Sequence, residues 1–124
     1  MTPRESVRFR ISSLLLFASG LATLAYGLIV VVIPSSDAQY FRAIGAASIG
    51  MGLFGVMITA TGFRRRERWA FFTLWYYPVF WTAHLVGNLP PGRDHVHQVL
   101  FIALSLLGLL LPIREFFPRG PRRA

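Results

Sequence analysis

His84 and Asn88 stand four residues apart, one helical turn, and Asp94, His97 and Gln98 follow just beyond a Pro-Pro-Gly turn. Imidazole titrates near neutral pH and is a common nitrogen ligand for metals and haem, so two histidines carried on neighbouring helices invite a chemical reading. Tyr77 lies two turns before His84 on the same face, with Trp81 between them. Three arrangements compete. The first is an interhelical hydrogen-bond network, His84 with Asp94 or Asn88, locking one helix to the next. The second is a metal or haem site with His84 and His97 as ligands and Asp94 orienting one ring. The third is acid–base work on a lipid-soluble substrate, with histidine carrying the proton. A quinone or other flat apolar ligand would find a platform in Tyr77, Trp81 and the surrounding rings. His95 points off this face, toward water. Two histidines without a fixed ligand spacing favour the structural network, so no residue is assigned as catalytic, no metal is assigned, and the expectation is that no cofactor is bound.

Several chemistries are excluded outright. The 124 residues include no cysteine, which removes thiol nucleophiles, zinc–thiolate sites and dithiol redox centres. There is no phosphate-binding glycine loop, no HExxH and no nucleophile elbow. The net charge of +8 comes entirely from arginine, a composition typical of a high-GC bacterial genome. Those arginines flank apolar runs without the interleaved aromatic basic face that nucleic-acid binding needs, so no nucleic acid is expected as a partner. Anionic lipid head groups are the simpler counter-charge.

The elements that must position these residues are four apolar segments, Ile11–Ile33, Ala43–Phe63, Trp69–Leu89 and His95–Ile113, none containing Asp, Glu, Lys or Arg. Each is close to the ~20 helical residues needed to cross hydrocarbon. Backbone groups in lipid must be satisfied within the segment, which makes these segments helices, with approximate bounds 11–33, 37–63, 68–89 and 94–113. The expected fold is all-α, an integral membrane up-down four-helix bundle forming a single membrane domain over 1–124, with residues 114–124 a mobile basic cytoplasmic tail. The first segment is too long for a signal-peptide core and is read as a retained helix. Ser36 with Gln39 has a capping-box pattern opening the second helix, and Asp94 is placed to cap the fourth. Pro78 is expected to kink the third.

Arginine placement gives the orientation. Arg4, Arg8 and Arg10 precede the first helix; Arg64, Arg65, Arg66 and Arg68 anchor the loop between the second and third; Arg114, Arg119, Arg122 and Arg123 follow the fourth. Arg42 and Arg93 lie on the opposite side. By the positive-inside rule both termini are cytoplasmic, in the bacterial inner membrane. Glu67, among arginines, is expected to form local ion pairs of small worth.

In lipid, close approach at small residues drives helix association. Ser19, Thr23 and Gly27 form such a stripe on the first helix, and Gly45, Ser48, Gly52, Gly55, Thr59 and Gly62 form one on the second. The two stripes are expected to face each other within the chain, or to form a homodimer face. The third helix is aromatic instead, with Trp69 at the inner interface and Trp75 and Trp81 deeper.

The stretch Arg64-Arg65-Arg66-Glu67-Arg68-Trp69-Ala70, followed by the aromatic helix and the segment from Pro78 to His84, resembles a set of small bacterial four-helix membrane proteins broadly similar to the DoxX-like group. The resemblance extends in pattern over about residues 44–113. It implies the same fold and location and supplies no catalytic residue. The functional expectation is therefore an accessory or structural component of a membrane assembly rather than an enzyme, its partners the lipid bilayer with its anionic head groups and either a membrane protein or a second copy of the chain. The alternative is a redox or ligand-binding membrane protein that holds a haem, metal, quinone or similar ligand near His84 and His97.

Overall fold

A computed structural model describes residues 6–34, 38–87 and 96–120, and among them there is no strand. The helices are α1 (Val7–Val32), α2 (Ala38–Ile58), α3 (Arg68–Leu74), α4 (Tyr76–Gly87), α5 (Val96–Leu110) and α6 (Ile113–Phe116), with a π turn, Thr59–Phe63, continuing α2. Two helical stretches among the described residues are long and apolar enough to cross a membrane, Val7–Val32 and Phe41–Phe63, with mean hydropathies of 2.3 and 1.8.

The helix bounds differ from the sequence expectation at three places, each for a physical reason. α1 begins at Val7, before the apolar run, because Ser6 caps it by accepting the Phe9 amide at 3.2 Å, and arginines at 8 and 10 do not end a helix. The third segment is split at Trp75, where the amide turns back to the Phe72 carbonyl at 3.3 Å. Pro78 explains the position of the break: it has no N–H to offer the carbonyl four residues earlier, which belongs to Leu74, the last residue of α3. The fourth segment stops at Leu110, before Pro112. The carbonyl that Pro112 leaves unclaimed is that of Gly108, and the Ser12 hydroxyl of α1 donates to it. A missing backbone bond thus becomes an interhelical one. Ser36 and Asp94, the expected caps, lie outside the described residues.

Residue pairs in contact show the helix directions. Gly27 meets Gly45 and Gly20 meets Gly52, so α1 and α2 are antiparallel. Tyr26 stacks on His97 while Phe9 meets Phe116, so α1 and α5–α6 are antiparallel as well. α1 is the central helix, packed extensively on α2 and also on α5, and α5 packs on α4.

The α1–α2 crossing is made by absent side chains. A methyl added at Gly52 would stand 2.5 Å from the Leu24 nitrogen and 2.7 Å from the Gly20 carbonyl oxygen, both backbone atoms. One added at Gly27 would stand 2.7 Å from the Gly45 oxygen. Ser19, Thr23 and Ser48 are buried alongside, and the Ser19 hydroxyl returns to the Leu15 carbonyl at 2.7 Å. The two small-residue stripes therefore meet within one chain.

The rest of the interior combines aliphatic residues, Leu16, Ala70, Leu74 and Leu109 among them, with clustered aromatic rings. At the end carrying Arg64–Arg68, the rings of Phe9, Phe63, Phe71 and Phe116 gather from four elements; Phe63 and Phe116 are 4.9 Å apart and Phe71 and Phe116 5.0 Å apart by ring centroid. Arg66 closes this cluster, its guanidinium 4.5 Å above the Phe9 ring and its Nε 3.4 Å from Glu115 Oε2. Arg66 reaches that position with φ 58°, a left-handed conformation that costs a non-glycine residue roughly 1 kcal/mol. Glu67, expected to pair with its neighbouring arginines, accepts instead from the Trp69 indole N–H.

Candidate functional site

α4 carries Phe80, Trp81 and His84 on adjacent turns, and α5 brings His97, Gln98 and Phe101 to meet them. α1 contributes Tyr26, which the sequence reading did not single out. Trp81, 1% exposed, is the hub. Its indole stacks on Phe101 at 4.5 Å and 16°, and meets Tyr26 edge-on at 5.4 Å, His84 at 5.7 Å and His97 at 6.0 Å. His97 also stacks on Tyr26 at 5.2 Å, and His84 stacks on Phe80 at 6.0 Å. Both imidazoles are half-buried.

The structure thus brings His84, His97 and Trp81 together, with Gln98 fully buried beside them on α5. What the two imidazoles share is edge-type contact with the Trp81 indole. Each ring is engaged in stacking, and among the described residues no three His, Asp or Glu side chains are grouped so as to hold a metal ion. Asn88, Asp94 and His95 lie outside the described residues, so the expected His84 pairing with Asn88 or Asp94 falls there too. His84 and His97 remain the two nitrogen donors that a haem or metal would use.

Tyr77 is placed elsewhere than its helical phase with His84 suggested. It is 2% exposed, and its hydroxyl enters the notch where Gly55 of α2 and Gly20 of α1 lack side chains. A methyl at Gly20 would stand 2.9 Å from that oxygen, and one at Gly55 would collide with it. The hydroxyl has no hydrogen-bond partner among the described residues, and neither has the Trp81 indole nitrogen. Gly55 therefore serves the α4 aromatic face as well as the α1–α2 seam.

Tyr26 could have been found in the sequence as the one tyrosine of the first apolar segment, three residues after Thr23. Phe101, four residues after His97, was concealed among many apolar neighbours. Gly20 sits one turn before the recognised Thr23, and no pattern distinguished it from Ser19. Of the arginine anchors, Arg64 and Arg65 are exposed, Arg68 lies 5.5 Å from the Phe117 ring, and Arg66 is the partly buried clasp described above. No family model matches the chain, and neither does any curated protein or solved structure.

Proposed function

We propose that the chain is a multi-pass four-helix bundle of the bacterial inner membrane, the fold and location that its resemblance to the DoxX-like proteins implies, with both termini cytoplasmic, and that it acts as an accessory or structural component of a membrane assembly. The supporting observation is the distribution of polarity. Leu14, Leu28, Leu53, Phe54, Phe72, Val79, Val99 and Leu107 face outward, while Ser12, Ser19, Thr23, Ser48, Gln98 and Ser105 are buried. Water would impose the reverse order, whereas lipid accepts large apolar side chains outside and rewards small polar ones between helices. α3 and α4 together run from Arg68 to Gly87, about 30 Å of helical rise at 1.5 Å per residue, enough to cross the hydrocarbon with a break at Trp75.

The absence of cysteine makes the test direct. Single substitutions Arg65→Cys and Arg93→Cys are exposed in intact cells to a maleimide that cannot cross the inner membrane. The expected result is labelling of Arg93→Cys alone, with Arg65→Cys reached only in inverted vesicles. Labelling of Arg65→Cys from outside, or recovery of the wild type in a detergent-free soluble fraction, overturns the topology. For the accessory role, mild solubilisation should yield a complex with a second membrane protein. A chain that migrates alone under conditions preserving known membrane complexes overturns it.

A second reading rests on the convergence of His84 and His97 on Trp81: a haem, metal or quinone held at that cluster. Protein purified in detergent would then show a visible absorbance band or stoichiometric metal, lost in His84→Ala. Colourless, metal-free protein in which His84→Ala changes stability alone rejects it.

A further inference from the structure

At the arginine-rich end, a cavity of about 360 Å³ opens between α1 and the π turn, lined by Arg10, Ser13, Leu14, Phe17, Thr59, Ala60 and Arg64. We infer that this cavity binds the phosphodiester head group of an anionic phospholipid, an inference that rests on the membrane reading above.

The lining has two chemistries in the order a lipid requires. Arg10 and Arg64 come from different elements and stand on the same cavity, and neither guanidinium is paired with a carboxylate among the described residues. Two such cations suit one phosphate, since guanidinium N–H groups bind its oxygens through charge-assisted hydrogen bonds. Leu14, Phe17 and Ala60 line the apolar remainder. A soluble anion has no use for that apolar wall, whereas the glycerol and first acyl carbons of a lipid do.

Two further observations mark the place. Ser13 lines the cavity, and its hydroxyl, with no hydrogen-bond partner among the described residues, needs only a side-chain rotation to donate to a phosphate oxygen. The π turn forms the opposite wall through Thr59 and Ala60. An extra residue within a helical turn shifts everything after it by about 100° at 3.6 residues per turn, so the π turn sets the direction in which Arg64 leaves α2. Such turns recur at functional sites. The Thr59 hydroxyl is already committed to the Gly55 carbonyl at 2.7 Å, which leaves Ser13 and the arginines as the donors.

The experiment uses the full chain in a zwitterionic detergent, titrated with phosphatidylglycerol, with phosphatidylcholine and with inorganic phosphate, and bound lipid is counted by native mass spectrometry. The expected result is retention of phosphatidylglycerol over phosphatidylcholine, with affinity for the former falling roughly thirtyfold in Arg10→Gln/Arg64→Gln, given two arginines near the head group. The control Arg8→Gln/Arg65→Gln removes the same charge from exposed positions outside the cavity, and its loss is expected to stay below about threefold. Ala60→Phe, which fills the apolar part and keeps every charge, should weaken binding as strongly as the first double variant. Equal losses in the two double variants, full binding in Ala60→Phe, or no preference between the lipids overturns the site. Inorganic phosphate that displaces the lipid at equal concentration assigns a soluble anion and overturns the lipid. Failure of the membrane reading is separate: the wild type would then leave the membrane fraction without detergent, whereas failure of the site alone leaves it there.

Discussion

The α1–α2 seam and the aromatic cluster around Trp81 solve one problem in opposite ways. Under the membrane reading proposed above, lipid provides no hydrophobic drive for helices to associate, and both regions bind by contact. The seam removes side chains until backbone meets backbone, at Gly27 against Gly45 and Gly20 against Gly52. The cluster fills a wider gap with rings, five of them in contact with the Trp81 indole. The seam therefore resists additions and the cluster resists deletions. Tyr77 joins them, an α4 ring whose hydroxyl occupies space left by one glycine from each seam helix.

This contrast is most exposed at Gly52. Gly52→Leu forces a side chain against two backbone atoms that cannot rotate away, and its cost is expected at about 3 kcal/mol or more, the upper end of overpacking. Loss of a monodisperse peak in detergent is the readout; a stable variant means the helices cross elsewhere. Trp81→Ala works the other way, by emptying the hub. Large-to-small changes of this kind cost ~3–5 kcal/mol in water-soluble cores. Under the proposed membrane reading the transfer component is absent and about 2 kcal/mol of contact energy remains. The thermal midpoint should fall, and an unchanged midpoint means the cluster is not packed as described.

Smaller effects sharpen the boundary between the regions. Tyr77→Phe removes a buried hydroxyl that has no partner among the described residues, so stability should hold or rise by up to about 1 kcal/mol. A clear loss in the melt shows that the oxygen is hydrogen-bonded. Glu115→Gln breaks the partly exposed pair with Arg66 and should cost less than about 1 kcal/mol, with the difference shrinking at high salt. Gly50→Ala should change least, because a methyl there meets nothing within 4 Å among the described residues and alanine favours the helix by about 1 kcal/mol at most. A destabilised Gly50→Ala means that this face of α2 is covered by another molecule.

Legibility in the sequence followed the range of the interactions involved. The small-residue stripes could be read because helical periodicity alone puts Gly45, Ser48, Gly52 and Gly55 on one side of α2. The meeting of His84 with His97 could be read because a short connection makes neighbouring helices antiparallel. Tyr26 could not, since α1 is distant in sequence and its rotation against α5 is decided by the glycine seam on its other side. The Ser12–Gly108 bond was legible in half: Pro112 announces a carbonyl without a donor, but the donor's identity depends on which helix lies opposite. The left-handed Arg66 had no glycine or asparagine to signal it, because its conformation is held by Phe9 and Glu115 across the bundle end.

From composition and periodicity alone came the helical class, the apolar segments and the arginine-bearing ends, because these depend on the solvent and on hydrogen bonds closed within a few residues. Tertiary structure decided which residues share a site. Trp81 contacts both histidines, Tyr77 enters the glycine notch, and Arg10 and Arg64 flank one cavity. Those outcomes turn on helix rotations of a fraction of a turn, set by how glycines and rings fit against each other and by the breaks at Pro78, Pro112 and the π turn.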